Sequence, residues 1–212
     1  MIREKILEYC GFDPLDKSVC LCAVKRNGFS IRFIHNPDKE VQLEAVKENE
    51  GSIKYIRDPN KEIQLEAVKR RGENIQYIQN PDKEIQLAAI NGDGYNIRYI
   101  RNPDKEVQLA AVKLCGSSIE YIRDSDKEVQ LAAVKQNGNN IRFIQNPDKD
   151  IQLAAVKQHG SNILYIQNPG REVQLAAIEQ SGYDIGVIVL CPNWEEMTEE
   201  IDKYLQCKEI IE

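Results

Sequence analysis

The side chains suited to proton transfer, nucleophilic attack or metal binding are few in this 212-residue sequence, and their spacing argues against each use. His35 and His159 are 124 residues apart. In a stack of helical repeats that steps about 10 Å per repeat they would lie about 50 Å apart, too far to share a metal or a proton. Cys20 and Cys22 have the spacing of a CxC ligand pair, but side chains two apart on a helix point about 200° away from each other. Ordinary repeat positions that hold sulfur are the simpler reading. Cys10, Cys115, Cys191 and Cys207 are scattered and follow no disulfide framework, which predicts reduced thiols. Asn91-Gly92-Asp93-Gly94 has the Asp-Gly turn of a calcium loop without its alternating carboxylates or distal glutamate, and predicts an early helix end instead. Asp-Lys-Glu steps such as Asp104-Lys105-Glu106 predict a solvated edge laced by opposite charges, not an acid–base dyad. No serine-nucleophile elbow, phosphate loop or dinucleotide fingerprint occurs. The sequence therefore assigns no catalytic, metal-binding or cofactor-binding residue and predicts a protein that is not an enzyme and needs no cofactor.

Repetition is the dominant feature. Aligned on the Asn/Asp-Pro step, Asn36, Asp58, Asn80, Asn102, Asp124, Asn146 and Asn168 are each 22 residues from the next, and a degenerate first copy precedes them. A unit that cannot bury its own apolar face is copied and stacked, so the pattern predicts an all-α solenoid of eight units over 14–189. Each unit reads as one α-helix followed by one short 3-10-like helix. Asn or Asp before proline predicts the N-cap, with proline at the first helical position. A glycine about eleven residues later (Gly28, displaced to Gly51 in the second copy, then Gly72, Gly94, Gly116, Gly138, Gly160 and Gly182) predicts the helix end. The Ser, Asn or Asp two positions on, such as Asn96, predicts the cap of the short helix. Val107, Leu109, Ala111, Val112, Ile97 and Ile100 and their equivalents are the expected core columns. Gln108 falls within that apolar arc and recurs as Gln42, Gln64, Gln86, Gln130, Gln152 and Gln174, so it must be hydrogen-bonded, and backbone groups of the adjoining turns are the expected partners.

The ends of such a stack need covers. Ile2, Ile6 and Tyr9 or Cys10 form an apolar stripe that predicts an N-terminal capping helix over 1–13. Trp194, Met197, Ile201, Tyr204 and Leu205 predict a C-terminal capping helix over 190–212. From Leu190 onward seven carboxylates face two lysines, so most of the net charge of −6 lies in that segment and the repeat body is nearly neutral. A globally basic nucleic-acid binder is disfavoured. No apolar run approaches the roughly 20 residues of a membrane span, and the opening MIREKILEYCG is too charged for a secretory signal, which predicts a cytoplasmic protein without membrane contact.

One surface stands out. The outward positions of the short helices read Arg32, Lys54, Gln76, Arg98, Glu120, Arg142, Leu164 and Gly186 in one row. The other row is His35, Arg57, Gln79, Arg101, Arg123, Gln145, Gln167 and Val189. Seven cations against one anion make a basic stripe, and the residue after the glycine is aromatic at Phe29, Tyr95 and Tyr183. Arginine and tyrosine are enriched at binding hot spots. The candidate partner-binding residues are Arg32, Lys54, Arg57, Tyr95, Arg98, Arg101, Arg123 and Arg142. They predict a monomeric interaction protein that binds an acidic protein surface, with phosphates of a nucleic acid as the alternative ligand.

The text LAAVKQNGNNIRFIQNP at 131–147 resembles short helical repeats of bacteria, phages and large DNA viruses that are known only as a domain of unknown function. In architecture the repeats are also similar to variant leucine-rich and HEAT-like solenoids. The resemblance covers about 14–189 and implies a binding role, as an inhibitor or adaptor in a host–parasite or defence setting.

Overall fold

The computed structural model describes residues 16–191, 194–199 and 201–203. The predicted N-terminal cap over 1–13 lies outside them, as do Tyr204 and Leu205. The protein is an all-α solenoid, and no strand occurs among the described residues. Long helices are α1 (Lys17–Arg26), α2 (Lys39–Glu48), α3 (Lys61–Arg70), α4 (Lys83–Ile90), α5 (Lys105–Leu114), α6 (Lys127–Gln136), α7 (Lys149–Val156) and α8 (Arg171–Gln180). Each of the first seven is followed by a six-residue 3-10 helix: Gly28–Phe33, Glu50–Tyr55, Gly72–Tyr77, Gly94–Tyr99, Gly116–Tyr121, Gly138–Phe143 and Gly160–Tyr165. After α8 the short helix is instead one α-turn, α9 (Ile185–Ile188). The chain falls into two compact units, Met1–Ala111 and Val112–Glu212.

In the second to seventh repeats the same five positions are buried. In the second repeat they are Val41, Ala45, Val46, Ile53 and Ile56; in the sixth they are Val129, Ala133, Val134, Ile141 and Ile144. Each fully buried isoleucine contributes roughly 2–3 kcal/mol, and the repeats replicate that gain. The leucine column, expected in the core, is only half-buried, as at Leu109.

The helix starts two residues later than the Asn/Asp-Pro step predicts. Asn36, Asp58, Asn80, Asn102, Asp124, Asn146 and Asn168 all take the left-handed conformation, with φ between 48° and 52°. Asn and Asp tolerate that region best among residues with a Cβ, so the step is a turn. The caps are the next polar residues: Asp38 accepts from Val41 N–H at 2.9 Å, Asn60 from Ile63 at 3.1 Å and Asp148 from Ile151 at 3.1 Å.

The glycine column also has a different cause from the one expected. Gly72 opens its 3-10 helix, and a Cβ built there would sit 2.2 Å from the Ala89 carbonyl of the following repeat. At Gly28 and Gly160 the same clash is with Ala45 O at 2.2 Å and Ala177 O at 2.3 Å. Close approach between repeats therefore demands glycine. Among the described glycines only Gly182, with φ of 66°, is left-handed. The Asn column is buried rather than capping: Asn74, Asn96, Asn140 and Asn162 each donate Nδ2 back to the long helix of their own repeat, at 2.8–3.0 Å.

The Gln column is bonded to backbone as its position requires. Each Nε2, from Gln42 to Gln174, donates to the carbonyl five residues earlier at 2.5–2.9 Å, tying the turn to the helix of the same repeat. A second set of glutamines joins repeats in the second unit. Gln136 Nε2 donates to Lys113 O at 2.7 Å, and Gln158 both donates to Val134 O at 2.6 Å and accepts from Gly138 N–H at 2.7 Å. The corresponding positions of the first unit hold Arg26, Glu48, Arg70 and Gly92, so these clamps belong to the second unit alone.

Candidate interaction surface

The 3-10 geometry decides what faces outward. With three residues per turn, Ile97 and Ile100 eclipse each other and point inward, so Arg98 and Tyr99 both lie off the buried line. The same holds in each of the seven six-residue 3-10 helices and generates an aromatic column beside the basic row: Phe33 is 77% exposed, Tyr55 38%, Tyr77 43%, Tyr121 40% and Tyr165 45%. Sequence reasoning found the basic rows and missed this column. The signal that would have revealed it is the switch from a 3.6 to a 3.0 period at the glycine.

Of the predicted partner-binding residues, Arg32, Lys54, Arg57, Arg98 and Arg101 are exposed in the first unit, and Arg123 and Arg142 are exposed in the second. Tyr95 is half-buried at the start of its short helix, where its N–H donates to Asp93 Oδ1 at 2.9 Å. The cations of the first row lie on the aromatic column. Arg32 Cζ is 4.4 Å from the Phe33 ring centroid, Arg98 4.7 Å from Tyr99 and Arg142 4.5 Å from Phe143. Lys54 Nζ is 4.8 Å from the Tyr55 ring and 5.5 Å from Phe29. Arg98 is also 3.9 Å from Glu73.

Cations of both rows line grooves at the repeat junctions. In the first unit a groove of about 720 Å³ is formed by Gln76, Gln79, Asn80, Gln86, Tyr99 and Arg101 among others. In the second, one of about 690 Å³ holds Glu120, Arg123, Asp124 and Phe143, and one of about 620 Å³ holds Arg142, Gln152, Tyr165 and Gln167. The two share Ile144, Gln145 and Asn146.

The Asp-Lys-Glu edge has a different character, because its charges pair from one repeat to the next. Lys61 reaches Asp82 at 2.8 Å and Glu84 at 2.7 Å, Lys39 reaches Glu62 at 2.7 Å, and Lys127 reaches Asp148 at 3.0 Å and Asp150. The lysine beside Asp82 and the Ile85 N–H hold its carboxyl below the usual range, and Asp148 is lowered by Lys127 and Ile151 in the same way. A self-neutralised edge has little charge to offer a partner.

The residues of possible chemical use are not brought together. Cys20 is buried and Cys22 exposed, as helix geometry requires of side chains two apart. Burial pushes the Cys191 thiol up to about 11. His35 and His159 are exposed in separate units. Among the described residues no group of three or more His, Cys, Asp or Glu could hold a metal ion, and no helix is long and apolar enough to cross a membrane. Asn91-Gly92-Asp93 forms a turn after an α4 that stops at Ile90, the early end its sequence predicts.

Fold and surface thus define a helical-repeat solenoid presenting aromatic and basic rows. The family described as a domain of unknown function (DUF4116) matches residues 38–80, 60–103 and 104–147, each match taking in two consecutive repeats. Those segments cover just over half of the chain, and the protein belongs to this family. No curated protein and no solved structure matches it.

Proposed function

We propose that this is a non-enzymatic interaction protein that binds an acidic surface of a protein partner through the outward face of its short helices. The observation that carries this reading is the contrast between the two charged edges. Lysines of the Asp-Lys-Glu edge are neutralised by carboxylates of the next repeat, whereas Arg32, Lys54, Arg57, Arg101, Arg123 and Arg142 have no carboxylate partner among the described residues. Four of the seven row cations rest on rings, exposed at Phe33 and Tyr55 and half-buried at Tyr99 and Phe143, which orient them without consuming their charge. An arriving carboxylate then gains a charge-assisted hydrogen bond and an aromatic contact together. The cytoplasm and a monomeric state are part of the same proposal.

The exposed aromatic column favours a second reading, in which bases of a single strand stack on the rings and arginines meet phosphates. The formal charge of −6 opposes it. One experiment separates the two. The immobilised chain is exposed to a lysate of its native host with and without nuclease, beside a variant in which all seven row cations are replaced by Gln. A protein retained through nuclease treatment and lost with the variant supports the proposal. Material destroyed by nuclease and released steeply by salt would establish the second reading, and a protein held equally by both chains would place the binding surface elsewhere.

A further inference from the structure

Within the first row, neighbouring repeats both carry a cation at one place only, Arg32 and Lys54. Their surroundings are assembled from two repeats of the first unit. Phe29 and Tyr55 meet edge to face with centroids 6.2 Å apart and an interplanar angle of 87°. Lys54 lies over both rings and Arg32 over Phe33. Lys54 foremost, with Arg32 after it, holds the Tyr55 phenol below the ordinary range against the opposing effect of desolvation. The second repeat is built to fit: its glycine is displaced by one, so Gly51 stands where other repeats have Glu73, Ser117 or Asn139, and the Phe29 ring packs there at ordinary contact distance from where a Cβ would be.

We propose that Arg32, Lys54 and Tyr55 form a receptor for carboxylate side chains, and that it anchors an acidic segment of the protein partner. The inference rests on the acidic-partner reading above and gives it a location. A carboxylate has acceptor sites for a forked guanidinium, an ammonium and a phenol at once, and here all three donors are exposed on the short helices of two consecutive repeats. Phe33, the most exposed of the large hydrophobic residues described, supplies an apolar shelf for the methylenes of a glutamate. Elsewhere in this row the combination is broken. Gln76 replaces the next cation, Arg98 is shared with Glu73, and Arg142 stands between Glu120 and Leu164. A polyanion tracking the repeats would meet no continuous counter-charge, whereas a short acidic motif needs only this pair. That is why a peptide is favoured over a nucleic acid.

The test is fluorescence anisotropy with a labelled octaglutamate peptide and a labelled eight-residue oligothymidylate, titrated with the full chain at low salt. The chain is expected to bind octaglutamate more tightly than the oligonucleotide. Arg32→Gln with Lys54→Gln should weaken peptide binding about tenfold or more, and Tyr55→Phe, which keeps the ring and loses the donor, about threefold. Lys61→Gln with Lys127→Gln, on the self-neutralised Asp-Lys-Glu edge, should leave it within about twofold. Circular dichroism checks that each variant keeps the helical content of the parent. No octaglutamate binding by the parent chain, equal losses in the two double variants, or tighter binding of the oligonucleotide would each overturn the proposal. If octaglutamate fails while the host protein is still lost on neutralising all seven cations, the receptor is wrong and the acidic-partner reading stands. If both fail, the reading falls with it.

Discussion

Replacing Gly72 with alanine should destabilise the first unit by about 2–3 kcal/mol, although a Gly→Ala change that fits its site usually stabilises by ~0.4–1 kcal/mol. The added methyl would lie 2.2 Å from Ala89 O and 2.2 Å from Asn96 Nδ2. Ordinary carbon–oxygen contacts are about 3.3 Å or longer, so α4 would have to retreat by about 1 Å. Overpacking of that kind costs roughly 1–3 kcal/mol. Asn96 must also leave the 2.8 Å bond it donates to Ala89 O, at a cost of about 1 kcal/mol. The matched control is Gly92→Ala, where nothing lies within 4 Å of the new methyl and φ is not positive. It should change stability by no more than about 0.5 kcal/mol. Urea melts followed by circular dichroism read the difference, and at a slope of ~1–3 kcal/mol/M the Gly72 variant should unfold about 1 M earlier. Adding Asn96→Ala to the Gly72 variant should not rescue it, because the carbonyl remains. Equal midpoints for the two glycine variants, or full rescue by Asn96→Ala, would refute the claim that backbone approach between repeats requires this glycine.

Three further expectations follow from the same hydrogen bonds and ion pairs. Gln158→Ala removes two inter-repeat bonds and should lower stability by about 1–2 kcal/mol, whereas Gln167→Ala, on the exposed row, should be nearly neutral in the same melts. Ser52 is buried with its hydroxyl unpartnered, in a column where Asn reaches the long helix, so Ser52→Asn should gain about 1 kcal/mol by bonding the Ala45 carbonyl; a lower midpoint would show that the pocket is already full. Asp38, Asp82 and Asp148 have folded pKa values below the usual 3.8, so the stability they contribute is complete above that value and is lost as pH falls through the lowered ones. Lys61 and Lys127 are raised, so their share is present below the usual 10.5 and is lost as pH rises through the raised values. Urea midpoints should therefore be level between about pH 5 and 9 and fall on both sides; a midpoint at pH 3 equal to that at pH 7 would remove the edge from the account of stability.

Period, class and core columns were legible because packing repeats the same demand in each copy: Val41, Val129 and Val173 answer one requirement, and 22-residue spacing exposes it. What misled the reading was a residue type with two physical uses. Asn and Asp are favoured both as N-caps and in the left-handed region, and proline follows both kinds of position, so Asn102 reads as a cap until its φ of 51° is known. Glycine is equally ambiguous, since a positive φ and a close approach both exclude a Cβ, and only the 2.2 Å distance at Gly72 separates them from Gly182. Asn96 and its equivalents read as caps because nothing in a sequence says that a side chain turns back seven residues to Ala89. The division at Ala111 falls inside α5 and has no mark in the repeat text, although the Gln clamps that begin at Gln136 distinguish the second unit chemically. The functional surface is harder for a deeper reason. A column fixed by packing cannot encode a partner, so information about binding is confined to positions where the copies differ, and there each residue is a single observation with no periodicity to support it. Arg32 and Lys54 become a pair because they fall on consecutive short helices, where Lys54 lies over both Phe29 and Tyr55 and the Phe29 ring packs beside Gly51. The departures from the repeat, such as the displaced glycine of the second copy, are therefore where specificity in this solenoid should be sought.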